Sequence, residues 1–182
     1  MSQSHSNADR QYVAPRELFS AAQIEHRVRE LAKDISRDYG DLRPTLVCVL
    51  NGALPFFGDL ARALTIDVRF DALRAQSYSG TESGGQVVLS ADLSESVSGR
   101  HVLLVEDIVD TGLTARHLLE ELQARGPASV KVVSLLDKPS RRRCEVGVDY
   151  VGFTVGDEFV AGYGMDLDGR FRNLPYIGVV DT

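Results

Sequence analysis

The stretch His101–Thr114, HVLLVEDIVDTGLT, restricts the fold of this chain more than any other. His101 to Val105 holds four aliphatic residues in five and reads as a buried strand. Glu106, Asp107 and Asp110 follow, and Thr111, Gly112 and Thr114 come at once after them. From Ala115 the apolar residues Leu118, Leu119 and Leu122 take helical spacing, until Gly126-Pro127 stops the pattern. A strand that gives way to acids and a small hydroxyl-bearing turn, and then to a helix, belongs in a parallel α/β sheet. There the ligand crevice lies at the carboxyl ends of the strands.

The flanking sequence agrees with such a sheet. Ser20 with Gln23 forms a capping box, and Ile24, Val28, Leu31 and Ile35 make one apolar face of a helix that Gly40 and Pro44 end. Thr45 to Leu50 reads as a buried strand, Asn51-Gly52-Ala53 as a tight turn and Leu54 to Leu64 as a helix. Strands are expected at Ile66–Phe70, Val87–Leu89, Val130–Leu136, Asp149–Phe153, Phe159–Tyr163 and Tyr176–Val180. Ser77 to Gln86, SYSGTESGGQ, is a Gly/Ser-rich loop marked by a single Tyr78. Helices alternating with strands favour a mostly parallel sheet flanked by helices. The polar residues 1–16 read as a flexible tail, and 17–182 as a single domain.

Composition narrows the classes of function. A net charge of −6 disfavours nucleic acid as a partner, and a polyanionic substrate needs a local cation or metal ion. No apolar run approaches the ~20 residues of a membrane span, and the N-terminus has no signal-peptide core, so a cytoplasmic protein is expected. Cys48 lies in an apolar run, which suits a buried reduced thiol rather than a disulfide with Cys144. His5, His101 and His117 have no partner at metal-ligand spacing, and Arg141-Arg142-Arg143 reads as a solvated loop.

Thr111, Gly112 and Thr114 offer hydroxyls and open backbone at a helix start, where unpaired amides and the helix dipole favour a phosphate. Glu106 and Asp107 can hold vicinal hydroxyls, directly or through a divalent cation. Asp110 is placed to accept a proton. Together they fit a phosphorylated ribose. The plain alternative is a set of N-terminal helix charges with Asp110 as the cap.

VLLVEDIVDTGLT resembles the phosphoribosyl-pyrophosphate (PRPP) motif of the type I phosphoribosyltransferases, and of the hypoxanthine-guanine phosphoribosyltransferases in particular. The similarity runs from about Leu18 to Val180. It implies the type I phosphoribosyltransferase fold, with a small hood subdomain and a flexible lid loop. The implied activity is purine salvage: transfer of the phosphoribosyl group from PRPP to hypoxanthine or guanine. In such a site Glu106 and Asp107 handle the ribose hydroxyls, Asp110 is the base at the purine N7, and Asp110, Thr111, Gly112, Leu113 and Thr114 wrap the 5-phosphate.

Further matches implied by the resemblance surround that motif. Leu50, Asn51 and Gly52 correspond to the pyrophosphate loop, where the family often has a non-proline cis peptide and often Lys in place of Asn51. Taken alone, the same residues read as a plain turn. Ser77 and Tyr78 correspond to the lid. Lys138, Phe159 and Val160 correspond to the purine clamp, although alone Lys138 reads as a surface lysine and Phe159 as core. Asp166 and Arg172 correspond to a second metal position and a pyrophosphate contact. Glu158 and Gly156 stand where relatives carry Lys and Pro. Mg2+ held by Glu106, Asp107 and Asp166 is implied, as is a homodimer or homotetramer. The alternatives are a xanthine-preferring or hypoxanthine-only enzyme and a regulatory RNA-binding protein on the same fold.

Overall fold

A computed structural model describes residues 13–78 and 86–180. The chain opens with a short strand, β1 (Arg16–Phe19), and then helix α1 (Ala21–Tyr39). The capping box forms as its residues dictate, with the Ser20 hydroxyl accepting from the Gln23 amide and Gln23 accepting from the Ser20 amide at 2.9 Å. The face Ile24, Val28, Leu31 and Ile35 is fully buried. There follow β2 (Thr45–Val49), α2 (Leu54–Ala63), β3 (Arg69–Tyr78), β4 (Gln86–Ala91), β5 (His101–Val109), α3 (Leu113–Ala124), β6 (Ser129–Asp137) and β7 (Tyr150–Thr154). Two short strands end the chain, β8 (Val160–Ala161) and β9 (Ile177–Val179).

The main sheet has the order β4-β3-β2-β5-β6-β7 and is parallel except for β4, which runs antiparallel to β3. Residues of β5 serve both faces in turn, as strand geometry requires. Leu103 and Val105 join α1 and α2 in one core. Val102 and Leu104 join Leu118 and Leu122 of α3 in the other. Burial on both faces explains why these strands read as continuous aliphatic runs. Leu104 is completely buried. Leu104→Ala should therefore cost about 2–5 kcal/mol of stability, read as a lower midpoint in chemical denaturation.

A small antiparallel sheet, β1-β9-β8, forms the hood over the carboxyl edge of the main sheet. Nothing in the sequence signals β1, because Arg-Glu-Leu-Phe carries no apolar run, and its pairing to β9 is a long-range contact.

Strands β5 and β3 differ most in extent from what the sequence predicts. Strand β5 continues through Glu106 and Asp107 to Val109 instead of stopping at Val105. Strand β3 begins at Arg69, since Ile66 and Val68 pack on the core without pairing. It then runs on through Ser77 and Tyr78, whose backbones pair with β4 and are not part of a loop. The rest of the expected lid, residues 79–85, lies outside the described residues, as do residues 1–12. Among the described residues, no helix is long and apolar enough to cross a membrane.

Candidate active site

The site exists because neighbouring strands end at different heights. Strand β2 pairs with β5 only as far as Cys48 with Val105, while β6 accompanies β5 from His101 to Val109. Glu106 to Val109 are therefore paired on the β6 side and open on the β2 side. A cleft of about 430 Å³ fills that step. Leu50 and Gly52 line it from the turn after β2, Asp110, Thr111, Gly112 and Thr114 from the turn after β5, and Asp166 and Arg172 from the loop before β9.

The turn after β5 has the features that suit an anion. Gly112 caps α3 in the left-handed region, φ 82°, and a Cβ there would lie 2.7 Å from Val146 Cγ1. No side chain caps α3. The alternative in which Asp110 caps the helix is thus not what the chain adopts; the first amide of α3, Leu113 N, reaches only Thr111 Oγ1 at 3.5 Å, a long contact that a bound anion could replace.

The acids sit under strong electrostatic pressure. Burial, followed by the neighbouring Asp107, holds the Glu106 carboxyl well above the usual carboxylate range. Burial raises Asp107 to about 6; amides of Ile108 and of its own residue pull it down, as does Arg172, whereas Asp166 pushes it up. Arg172 is paired with Asp166 at 2.6 Å and also donates to Gly164 O at 2.6 Å. Burial, with a smaller push from Glu106 and Asp107, moves the Cys48 thiol to about 12, so Cys48 stays protonated and inert. Neither cysteine is in a disulfide.

The turn after β2 holds a cis peptide bond between Leu50 and Asn51, as the resemblance implies. Asn51 Oδ1 accepts from Arg74 Nη2 at 2.8 Å. A Cβ on Gly52 would overlap the Asp107 carboxylate.

A second cleft of about 200 Å³ adjoins the first and shares Asp107, Asp110 and Asp166 with it. Lys138, Phe159 and Val160 line its far side. Lys138 is buried, not a surface lysine, and its Nζ donates to Glu158 O at 2.6 Å. Phe159 is 46% exposed, so its ring is available to a ligand and not spent in the core.

The three arginines are not merely solvated. Arg141 Nε donates to Asp110 Oδ1 at 2.8 Å. Arg142 is mostly buried, donates to Val109 O at 2.5 Å and Asp110 O at 2.6 Å, and pairs with Asp137. Arg143 N donates to Thr111 O at 2.9 Å. The segment after β6 therefore straps the turn after β5. A sequence signal for this exists. Parallel neighbouring strands end on the same edge, so the residue that follows β6 must lie beside the residue that follows β5.

A glycine-capped turn before α3, a buried acid pair and a cleft with an exposed phenylalanine among its lining residues lie together at one sheet edge, an arrangement that can take a phosphate, a diol and a flat ring. Comparison with known proteins agrees. The family model for the phosphoribosyl transferase domain matches residues 16–168. A hypoxanthine-guanine-xanthine phosphoribosyltransferase of Tritrichomonas foetus is 45% identical over 166 residues, 91% of each chain. A hypoxanthine-guanine phosphoribosyltransferase of Bacillus subtilis is 44% identical over 164 residues, 90% of this chain and 91% of that one. The crystal structure of a hypoxanthine phosphoribosyltransferase from Staphylococcus aureus superposes with a TM-score of 0.88 at 38% identity, covering 91% of both chains. The chain belongs to the phosphoribosyltransferases, and within them to the hypoxanthine-guanine phosphoribosyltransferase family.

Proposed function

We propose that this chain transfers the 5-phosphoribosyl group of PRPP to hypoxanthine and guanine, yielding the nucleoside 5′-monophosphate and pyrophosphate in purine salvage. The observation that carries this reading is the junction of the two clefts. Asp107, Asp110 and Asp166 line both, so a ribose phosphate in one and a base in the other meet at a shared wall. The relatives' names support the same chemistry.

In the reaction a bond forms from the purine N9 to ribose C1 while the bond from C1 to the pyrophosphate oxygen breaks. Asp110 accepts the proton from N7. Glu106 and Asp107 orient the ribose hydroxyls, and the Asp110–Thr114 turn holds the 5-phosphate. Leu50, Asn51, Gly52 and Arg172 flank the pyrophosphate. Phe159 stacks on the base, Val160 offers backbone groups to its edge, and the Lys138 amine donates to O6. That donor favours 6-oxopurines over adenine, whose amino group would leave it unpaired. Ser77 and Tyr78 carry the lid, which shields an oxocarbenium-like centre from water.

Mg2+ fits the donor set. Among the described residues no three carboxylate, His or Cys groups stand close enough to clasp an ion unaided. Magnesium is commonly held by one or two carboxylates together with substrate oxygens and water. Glu106 and Asp107 would hold one ion and Asp166, on the loop before β9, a second, and their charge would offset that of the pyrophosphate. By kinship the protein acts in the cytoplasm as a homodimer or homotetramer.

The test is pyrophosphate release from PRPP with hypoxanthine, guanine, xanthine and adenine offered separately. Turnover with hypoxanthine and guanine, little with adenine, loss on chelation with EDTA and recovery on added Mg2+ are expected. Release with xanthine alone, or RNA binding without any release, would overturn the reading.

A further inference from the structure

The loop Leu50–Gly52 has no cation of its own, because Asn51 is neutral. The cleft beside it is lined by Glu106, Asp107, Asp110 and Asp166, with Arg172 as the one cation lining it among the described residues. Arg172 is already paired with Asp166, and the nearby Arg141 and Arg142 with Asp110 and Asp137. A leaving group as anionic as pyrophosphate would meet a wall with little positive charge to spare.

We propose that Arg74, held in place by Asn51, is the diphosphate-binding cation of this site, a role that rests on the function proposed above. Arg74 and Asn51 are both exposed and stand just outside the cleft's own lining, each adjacent in sequence to residues that form it, Ala75 for the one and Leu50 and Gly52 for the other. The loop and the strand are tied at the backbone, with Leu50 N donating to Leu73 O at 2.9 Å. The side chains are tied as well, with Arg74 Nη2 donating to Asn51 Oδ1 at 2.8 Å. Among the described residues the Arg74 guanidinium meets no carboxylate, unlike the other arginines around the site. A guanidinium has five N–H donors in a rigid plane. One is taken by the Asn51 amide, which fixes the plane and leaves the others, with the full charge, for phosphate oxygens. Asn51 therefore acts as a positioning residue, and its amide oxygen does what a carboxylate could not: it orients the cation without neutralising it.

The experiment uses the full chain, with magnesium pyrophosphate as the probe in titration calorimetry and steady-state kinetics beside it. Arg74→Gln should weaken pyrophosphate binding and raise the KM for PRPP by about tenfold to a hundredfold, the range of a charge-assisted contact. The KM for hypoxanthine should stay within about twofold, since that base lies in the other cleft. Asn51→Ala should fall between wild type and Arg74→Gln. Arg74→Lys should restore part of the loss, and Asn51→Lys placed in the Arg74→Gln background should restore more. The melting temperature should not move, because Arg74 is exposed. Wild-type affinity in Arg74→Gln, or a loss that neither lysine restores, overturns the proposal, as does a wild-type protein that binds no pyrophosphate. Calorimetry needs no turnover. A wild type that binds pyrophosphate but converts no purine would refute the proposed function and leave Arg74 to be judged by the Arg74→Gln titration.

Discussion

Asp110→Asn is expected to lower kcat by about 10²–10⁴-fold, the usual worth of a positioned general base. The KM for PRPP should change by no more than about threefold, because the lost group acts only as the proton moves. The substitution keeps the shape of the side chain and an acceptor oxygen for Arg141 Nε, now 2.8 Å from Asp110 Oδ1. It removes the negative charge, and with it the ion pair to Arg141 and the capacity to take a proton. The turn should survive, since Gly112 and not Asp110 caps α3, and Arg142 grips the carbonyl of residue 110 irrespective of its side chain. Steady-state kinetics with PRPP and hypoxanthine varied in turn would decide. Equal losses in kcat and in PRPP affinity would mean that Asp110 builds the pocket and moves no proton.

Much of this architecture is legible in the sequence because it is local. The α1 face steps by three and four residues, and its cap is spelled by Ser20 and Gln23. The buried strands announce themselves as aliphatic runs, and the phosphate turn is a contiguous stretch. What is not legible is tertiary. Carboxylates are depleted in strands, so the run to Val105 looks finished. Only the partnership with β6 carries β5 through Glu106 and Asp107. Arg141–Arg143 lie more than thirty positions from Asp110 (31 for the Arg141 pair), and nothing in a run of three arginines says that one meets the proposed base while the next holds that residue's carbonyl. Lys138 and Phe159 mislead in opposite directions. The lysine is buried because β6 delivers it to the inner wall of a cleft, and the phenylalanine is exposed because a cleft needs a rim. Arg74 is silent in the sequence, one charged residue in an edge-proximal strand, until the turn at Asn51 is folded against it.

Gly52→Ala is expected to lower kcat/KM by at least about a hundredfold, the cost of misplacing reacting groups by the order of 1 Å. The new methyl would coincide with the Asp107 carboxylate, whose Oδ1 accepts from Ile108 N at 2.8 Å, so the carboxylate can move aside only by turning away from that amide and from its place in the cleft. The loop cannot retreat. Its carbonyl at Gly52 lies so close to Gly164 that a Cβ on Gly164 would overlap it. Gly52 is thus boxed between an acid on one side and a second glycine on the other, and the added atom must displace either Asp107 or the loop. Overpacking of this kind costs about 1–3 kcal/mol of stability, less than a protein of this size needs to unfold, so the loss should show itself mainly in catalysis. Gly58→Ala is the matched control. Gly58 lies in α2, where an added Cβ would meet nothing within 4 Å, and alanine there should add about 0.5–1 kcal/mol of stability with turnover intact. Paired measurements of melting and of kcat/KM separate the two glycines. Wild-type activity in Gly52→Ala would show that the contact between the turn after β2 and Asp107 is dispensable, and with it the argument that this turn positions the ribose acids.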